Sequence, residues 1–119
     1  MIFPSHFTTL EQIQLLQRWI LVQSLAYYEL NENIASDFKY DANAIQLAGL
    51  MRGYPEEAAK SRYFEYFKDY CGAEDEPHYT SGFDLLERVR KADKQLYRYL
   101  HIDASMALDL KQSKRMEEY

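Results

Sequence analysis

In the first half of the chain, two runs of apolar residues at helical spacing flank one short polar segment. The polar segment extends from Asn31 to Ser36. Apolar side chains at roughly helical spacing precede and follow it, which indicates helices with one buried face. They are Leu10, Ile13, Leu16, Ile20, Ala26 and Tyr27 before the segment, and Tyr40, Ala44, Leu47 and Met51 after it. The pattern predicts two helices joined by a turn, which is a helical hairpin.

Residues suited to helix ends predict where the first helix lies. Thr8 and Glu11 have the spacing of a capping box, in which each side chain accepts a hydrogen bond from the other residue's backbone N–H. The first helix should therefore begin near Thr9. We expect it to end at about Leu30, where the polar segment starts.

The second helix should begin after Ser36, because a serine hydroxyl at that position can cap the first turn. We expect it to continue through Met51, with Gly53 as the residue just beyond its end. Pro55 is suited to the first position of a new helix, since its missing N–H is not needed there. A third helix is therefore predicted over 55–68.

The remainder of the chain is also predicted to be helical. The aromatic run 61–68 fits a helix by its period and a strand by its aromatic density, and helix is favoured. A loop is expected over 71–81, a short helix after Gly82, and a final helix from about Ala92 whose polar end frays from Lys111. The expected buried faces consist of Phe83, Leu86 and Val89, then Leu96, Leu100, Ala104, Ala107 and Leu110.

Composition agrees with these elements. The 119 residues include only four glycines and three prolines, which favours long helices over a β architecture with many turns. A chain of this length has room for one small core. We predict an all-α fold in which 1–119 form a single domain. It would consist of an N-terminal helical hairpin over 9–56 and a helical extension over 57–119.

Cysteine content and hydropathy bear on location. The single cysteine, Cys71, has no partner for an internal disulfide, which favours a reducing compartment. The first residues lack the basic and apolar regions of a signal peptide. No uncharged run, including that from Trp19 to Tyr28, is long enough to span a membrane. We expect a cytoplasmic protein without membrane contact.

Charge limits the classes of partner and ligand. Residues 1–84 contain thirteen acidic and six basic side chains, whereas 85–119 contain six and eight. An acidic body is a poor match for phosphates, so we expect no direct nucleic-acid binding. His78 lies beside the acidic residues 74–76 but lacks a second well-spaced ligand, so no metal site is expected.

The candidate site lies where the predicted hairpin opens. Tyr27, Tyr28, Asp37, Tyr40 and Asp41 are all close to its turn. Aromatic faces can stack on a planar cationic ring, which contributes roughly 1–2 kcal/mol when the ring is desolvated. Carboxylates can accept hydrogen bonds from sugar hydroxyls or from an amide. A structural alternative exists, in which Tyr27 and Tyr40 only join the two helices and Asp37 only stabilises a helix N-terminus.

The same residues carry a resemblance to a known family. From about Leu15 to Glu56, the chain resembles the small N-terminal domain of bacterial NAD-dependent DNA ligases. The matching residues are Tyr27-Tyr28, Asp37-Phe38-Lys39-Tyr40-Asp41 and Tyr54-Pro55-Glu56. The chain departs from the family pattern at Tyr28, where many members have histidine, and in a turn without the proline that they often carry.

The resemblance implies a helical hairpin that closes over the nicotinamide mononucleotide (NMN) half of NAD. Tyr27 and Tyr40 would then contact the nicotinamide, and Asp37 and Asp41 would make polar contacts. The chain has no Lys-x-Asp-Gly adenylation motif and no room for a nucleotidyltransferase domain. We therefore expect no catalytic residues, no enzyme activity and no required cofactor, with NMN or NAD as ligands.

Three hypotheses for function follow. The first is a non-catalytic relative of the ligase hairpin, similar to phage or prophage accessory proteins, that binds NMN, NAD or a protein. The second is an inhibitor of a host defence enzyme, such as a CRISPR effector or an NAD-consuming enzyme. The acidic body and eleven tyrosines suit a basic, nucleic-acid-binding protein partner. The third is an NMN-binding subunit of a split ligase. The oligomeric state is left open.

Overall fold

Helices account for most of the described residues, which are 1–72 and 80–117 of the computed structural model. In these residues there are six helices and no strand. They are α1 (Thr9–Glu29), α2 (Asp37–Gly53), α3 (Pro55–Lys60), α4 (Phe64–Phe67), α5 (Gly82–Ala92) and α6 (Lys94–Glu117). The predicted all-α class is confirmed, and the predicted hairpin corresponds to α1 and α2.

Helix α1 begins and ends close to the predicted positions. The capping box is present, because Glu11 N–H donates to Thr8 Oγ1 and Thr8 N–H donates to Glu11 Oε1. At the other end, the N–H groups of Leu30 and Glu32 both donate to the carbonyl of Ala26. Asn31 lies between them with a φ of 56°, a left-handed conformation that asparagine tolerates better than most residues. The chain therefore leaves the helix abruptly.

Helix α1 is the centre of the fold. Seven consecutive residues in its second half, from Ile20 to Ala26, are buried, so every side of the helix is covered there. Helices α2, α3, α5 and α6 all pack against it. A helix buried on all sides needs apolar residues on all sides. Three polar residues are nevertheless buried in it, Gln17, Gln23 and Ser24.

Helix α2 is capped as predicted, with Lys39 N–H donating to Ser36 Oγ. It extends slightly beyond the predicted end, because Gly53 is its last residue and Tyr54 is its C-cap. The assignment of Gly53 to the position after the helix is therefore wrong. Pro55 is in the first turn of α3, as predicted.

The single helix predicted over 55–68 is wrong in its extent. Helix α3 ends at Lys60, and Ser61 adopts an extended conformation with ψ of 147°. Ser61 Oγ donates to the carbonyl of Ala58 and accepts from Gln17 Nε2 at 3.0 Å. This contact with α1 holds the chain out of the helical conformation. Helix resumes in α4, so the helical interpretation of the aromatic run is correct for part of its length.

The two predicted C-terminal helices are present, but their buried faces differ from the prediction at two positions. Phe83 and Leu110 were assigned to the apolar faces and are exposed. The buried residues of these helices include Leu85, Leu86, Val89, Leu100 and Ala104. Helix α6 extends to Glu117, and the fraying expected from Lys111 stays a prediction. Part of the predicted loop, 73–79, lies outside the described residues.

The structure also bears on the predictions of membrane contact and of domain organisation. No helix in the described part of the chain is both long enough and apolar enough to cross a bilayer. Helix α1 contacts helices from both the 9–56 and the 57–119 parts. The division of the chain into a hairpin and an extension within one domain stays a prediction.

Candidate functional site

A cavity of about 260 Å³ opens at the turn of the α1–α2 hairpin. All five residues selected from the sequence line it: Tyr27, Tyr28, Asp37, Tyr40 and Asp41. The remaining lining residues are Gln23, Ser24, Asn33, Ile34, Ala35 and Gly82. The cavity is therefore built from the end of α1, the turn, the start of α2 and the first residue of α5.

Helical spacing explains how the first two helices contribute. On α1, Gln23 and Ser24 lie one turn before Tyr27 and Tyr28. On α2, Asp37 is the first residue, and Asp41 lies one turn later on the same face. The start of α2 faces the end of α1 across the turn, so both sets border one cavity.

The inner wall depends on close packing between α1, α2 and α5. The hydroxyls of Ser24 and Tyr40 lie 3.0 Å apart and share a hydrogen bond between α1 and α2. Gly82 lies against this pair. A Cβ atom at Gly82 would overlap Ser24 Oγ and would lie 2.9 Å from the Tyr40 hydroxyl. Only glycine therefore allows α5 to begin at this point without moving the pair.

The outer wall is aromatic. Tyr27 and Tyr28 are 53% and 45% exposed, and their rings meet edge to face with centroids 4.9 Å apart. Tyr28 also meets Phe83 edge to face at 5.8 Å, which explains why this exposed phenylalanine lies at the start of α5. A second hollow of about 260 Å³ adjoins the cavity and shares Tyr27, Tyr28 and Asn33 with it.

The positions of Tyr27, Tyr40 and Asp37 bear on the alternative in which the tyrosines only join the two helices and the aspartate only stabilises a helix N-terminus. Tyr40 does connect the helices, through its bond to Ser24. Tyr27 is more than half exposed, so joining the helices does not account for it. Asp37 is in the first turn of α2, where its charge also favours the helix. The helix-joining role therefore applies to one of the two tyrosines.

The cavity carries negative charge. Asp37 and Asp41 are exposed, and neither forms an ion pair within the described residues. No lysine or arginine lines the cavity in that part of the chain. Lys111 of α6 reaches the turn, where its ammonium donates to the carbonyl of Asn33. Two carboxylates beside exposed aromatic rings form an environment that favours a cation.

Six lining residues were not predicted as site residues, and three of them lie outside the turn: Gln23, Ser24 and Gly82. Gln23 is 5% exposed, and neither its amide oxygen nor its amide nitrogen has a hydrogen-bond partner in the part of the chain that the structure describes. Leaving a buried amide unpartnered costs about 1–3 kcal/mol. The sequence contains one signal for these residues, because Gln23-Ser24 is a polar pair inside an otherwise apolar run.

Other chemistry has less support. Within the described ranges, 1–72 and 80–117, no three His, Cys, Asp or Glu side chains are grouped so as to hold a metal ion. His78 and the acidic residues 74–76 lie outside the described residues, so the expectation of no metal site there stays a prediction. Cys71 is half-buried and does not line the cavity.

Comparison of the chain with protein families, curated proteins and solved structures finds no match. The resemblance to the ligase domain therefore rests on the quoted residues alone. The geometry defines a class of site, an aromatic and acidic cavity in an all-α protein, without placing the chain in a family.

Proposed function

We propose that this chain is a non-catalytic binding protein whose cavity takes a pyridinium nucleotide, namely NMN or the NMN half of NAD. One observation carries the proposal. Five residues selected for the chemistry of such a ligand, on two separate helices, line a single cavity. The family resemblance adds to this support, because the residues that carry it include the same five.

The positive charge of the ligand's nicotinamide ring complements the negative charge of the site. The oxidised nicotinamide ring is a planar cation, and the exposed faces of Tyr27 and Tyr28 suit such a ring. Asp37 and Asp41 supply acceptors for ribose hydroxyls. The adjoining hollow between the tyrosines and Asn33 offers room for the part of the ligand that extends from the cavity.

Titration calorimetry with NMN tests the proposal. Asp37→Asn removes one carboxylate charge and should weaken binding about tenfold, which corresponds to about 1.4 kcal/mol. Asp84→Asn is a matched control, because Asp84 is also an acidic residue in the first turn of a helix but does not line the cavity. It should leave the affinity for NMN unchanged.

The tyrosines allow a second matched pair. Tyr27→Ala removes an exposed ring from the cavity and should also weaken NMN binding about tenfold. Tyr99→Ala removes a similarly exposed ring from α6, away from the cavity, and should have no effect. Absence of binding heat with wild-type protein at millimolar NMN would reject the nucleotide proposal.

Ring charge provides the sharpest comparison. The reduced form of NMN keeps the ribose, the phosphate and the carboxamide but lacks the positive charge of the ring. If the two carboxylates and the tyrosine faces select a cation, reduced NMN should bind at least about tenfold more weakly than NMN. Equal affinity would contradict this account of the site.

A second candidate function, binding to a protein, is favoured by a separate surface. Four apolar side chains of α6 are exposed by 49–64% and lie at the spacing of one helix face. They are Tyr99, Ile102, Met106 and Leu110. An exposed apolar stripe of this kind is typical of a protein contact surface. In this proposal, the chain is an interaction protein, for example an inhibitor of a host defence enzyme.

The role of the stripe is tested by comparing how well two variants capture a partner protein from host lysate. Met106→Glu places a charge in the stripe and should abolish capture of a partner from host lysate at low salt. Ser105→Glu adds the same charge beside it and should retain capture. If the wild-type protein captures nothing, or if both variants behave alike, the stripe is not a contact surface.

A further inference from the structure

The side chain of Gln23 is an anomaly in the described fold. It belongs to α1, is almost fully buried, and lines the cavity. Neither polar atom of its amide has a partner among residues 1–72 and 80–117. Buried polar side chains are nearly always hydrogen-bonded, so this amide is a group that a ligand in the cavity can satisfy once the side chain turns towards it.

Gln17, in the same helix, is bonded through one atom of its amide, although its Oε1 also lacks a hydrogen-bond partner among the described residues. It is also fully buried, but its Nε2 donates to Ser61 Oγ at 3.0 Å and approaches Met51 Sδ at 3.9 Å. Gln17 therefore connects α1 with the end of α3, and it does not line the cavity. The comparison separates a glutamine that holds the fold together from one that does not.

The amide of Gln23 requires a specific chemical complement. It has one acceptor oxygen and one donor nitrogen on adjacent branches, so its best partner presents a donor and an acceptor side by side. A primary carboxamide has this arrangement, and two carboxamides can form a pair of parallel N–H···O bonds. A carboxylate has two acceptors and no proton, so it accepts from Nε2 but leaves Oε1 facing a negative oxygen.

We propose that Gln23 is a specificity-determining residue that pairs with the ring carboxamide of the ligand and selects it over a ring carboxylate. This inference rests on the proposed function, since it assigns a partner to the carboxamide of NMN. Binding sites that are built to hydrogen-bond one group discriminate strongly against an analogue that leaves their buried polar atoms unpaired. Gln23 would give the cavity that property.

The test measures the affinities of NMN and of nicotinic acid mononucleotide, which differ only in carboxamide against carboxylate. Wild-type protein should prefer NMN by at least about tenfold. Asp37 and Asp41 also disfavour the added negative charge, so the informative quantity is the change in this preference when Gln23 is replaced. Gln23→Met keeps the length of the side chain and should reduce the preference to within about threefold of the value set by charge alone.

That reference value comes from a second variant, Gln23→Ala, which removes every group capable of contact with the ligand carboxamide. Gln23→Met and Gln23→Ala should show the same preference, well below that of wild type. Gln17→Met is the matched control, and its preference for NMN should equal that of wild type. Its thermal stability should fall, because the bond to Ser61 is lost.

Thermal melting without ligand supplies a readout that a merely structural glutamine would not give. Gln23→Met replaces an unpartnered buried amide with an apolar chain, so its Tm should equal or exceed that of wild type. A lower Tm would show that the amide is held by partners in the free protein, which overturns the proposal. Wild-type preference for NMN in both Gln23 variants would also overturn it while leaving the proposed function intact. Failure of wild-type protein to bind either nucleotide would reject both.

Discussion

At the scale of single residues, the glycines differ in what surrounds them. At Gly49 and Gly53 in α2, no described atom beyond the chain neighbours and the adjacent helix backbone lies within 4 Å of the position that a Cβ would occupy. Gly72 has a φ of 75°, and its Cβ would overlap the carbonyl oxygen of Ala44. Gly82 is confined by Ser24 and Tyr40. The first two glycines are therefore replaceable, whereas the other two are required by close packing.

Alanine substitution should separate these groups. Gly49→Ala should raise the free energy of unfolding by about 0.5–1 kcal/mol, because alanine has the higher helix propensity and fits without contact. Gly72→Ala should lower it by more than about 1 kcal/mol, because both the positive φ and the Ala44 carbonyl oppose a side chain. Urea denaturation measures both values. A stabilised Gly72→Ala protein would contradict the described packing.

Gly82→Ala should affect the cavity as well as stability. The added methyl group displaces the Ser24 and Tyr40 hydroxyls, so we expect a loss of about 1–3 kcal/mol in stability. Calorimetry should show weaker NMN binding, because Tyr40 lines the cavity. Gly53→Ala is the control and should leave NMN binding unchanged. Unchanged binding in a folded Gly82→Ala protein would show that this wall does not contact the ligand.

At the scale of elements, the turn between α1 and α2 determines whether the candidate site exists. Asn31 allows the reversal by adopting a left-handed conformation just after α1. Ser36 then caps α2, which places Asp37 in the first turn. The two carboxylates and the tyrosines face one cavity because both helix ends adjoin this turn.

Substitution at Asn31 tests this conformational requirement. Asn31→Ala should lower the free energy of unfolding by about 1 kcal/mol, since alanine adopts a positive φ at a cost of roughly 1–2 kcal/mol. Asn31→Gly should remain within about 0.5 kcal/mol of wild type or exceed it, because glycine has no such cost. Chemical denaturation of the three proteins gives the ranking. Equal stability of the alanine and glycine variants would show that the turn adopts another conformation.

At the scale of the whole molecule, α6 connects the C-terminal half to the hairpin at several points. Asp103 accepts two hydrogen bonds from the guanidinium of Arg18. Although partial burial lowers the pKa of Arg18, the bond to Asp103 and the Tyr63 contact raise it overall. Near the end of α1, the hydroxyl of Tyr97 donates to Glu29 at 2.8 Å. These polar contacts fix the position of α6 against α1.

The pKa of Tyr97 is raised from 10.0 to about 12, first by burial and then by the bond to Glu29 and its charge. In the unfolded chain, Tyr97 ionises near its ordinary value, so the unfolded state loses its proton first as pH rises. The stability that Tyr97 contributes is therefore complete below pH 10 and is lost as pH increases from about 10 towards 12.

Thermal melting of Tyr97→Phe between pH 8 and pH 12 tests this linkage. At pH 8 the variant should melt below wild type, because the bond to Glu29 is missing. The difference should shrink as pH rises through the range from about 10 to about 12. Tyr54→Phe, at an exposed position, should follow wild type throughout. A difference independent of pH would contradict the raised pKa.

The local signals in the sequence predicted much of the fold. Thr8, Ser36 and Pro55 act at helix starts as expected, because capping depends on residues within three positions of one another. The helix over 55–68 was wrong because Ser61 bonds to Gln17, which is distant in sequence. Phe83 was assigned to a buried face, but its ring contacts Tyr28 at the surface.

The residues of the candidate site also fall into two groups, those predicted from local signals and those placed by tertiary packing. Its five predicted residues come from one hairpin, where helical period and turn length alone bring them close together. Ser24 and Gln23 were missed because their roles depend on what α1 is packed against, and that is not visible from helical period. Gly82 was missed because it reaches the cavity only when α5 packs on α1 and α2.

The sequence by itself determined the helical class, the caps and the hairpin, because each follows from interactions between residues near one another in the chain. Only the tertiary structure decided that α5 closes the cavity and that Gln23 is buried there without a hydrogen-bond partner among the described residues. These features depend on the packing of helices that are far apart in sequence. Side-chain burial and the pairing of polar groups are properties of that packing, so no local pattern contains them.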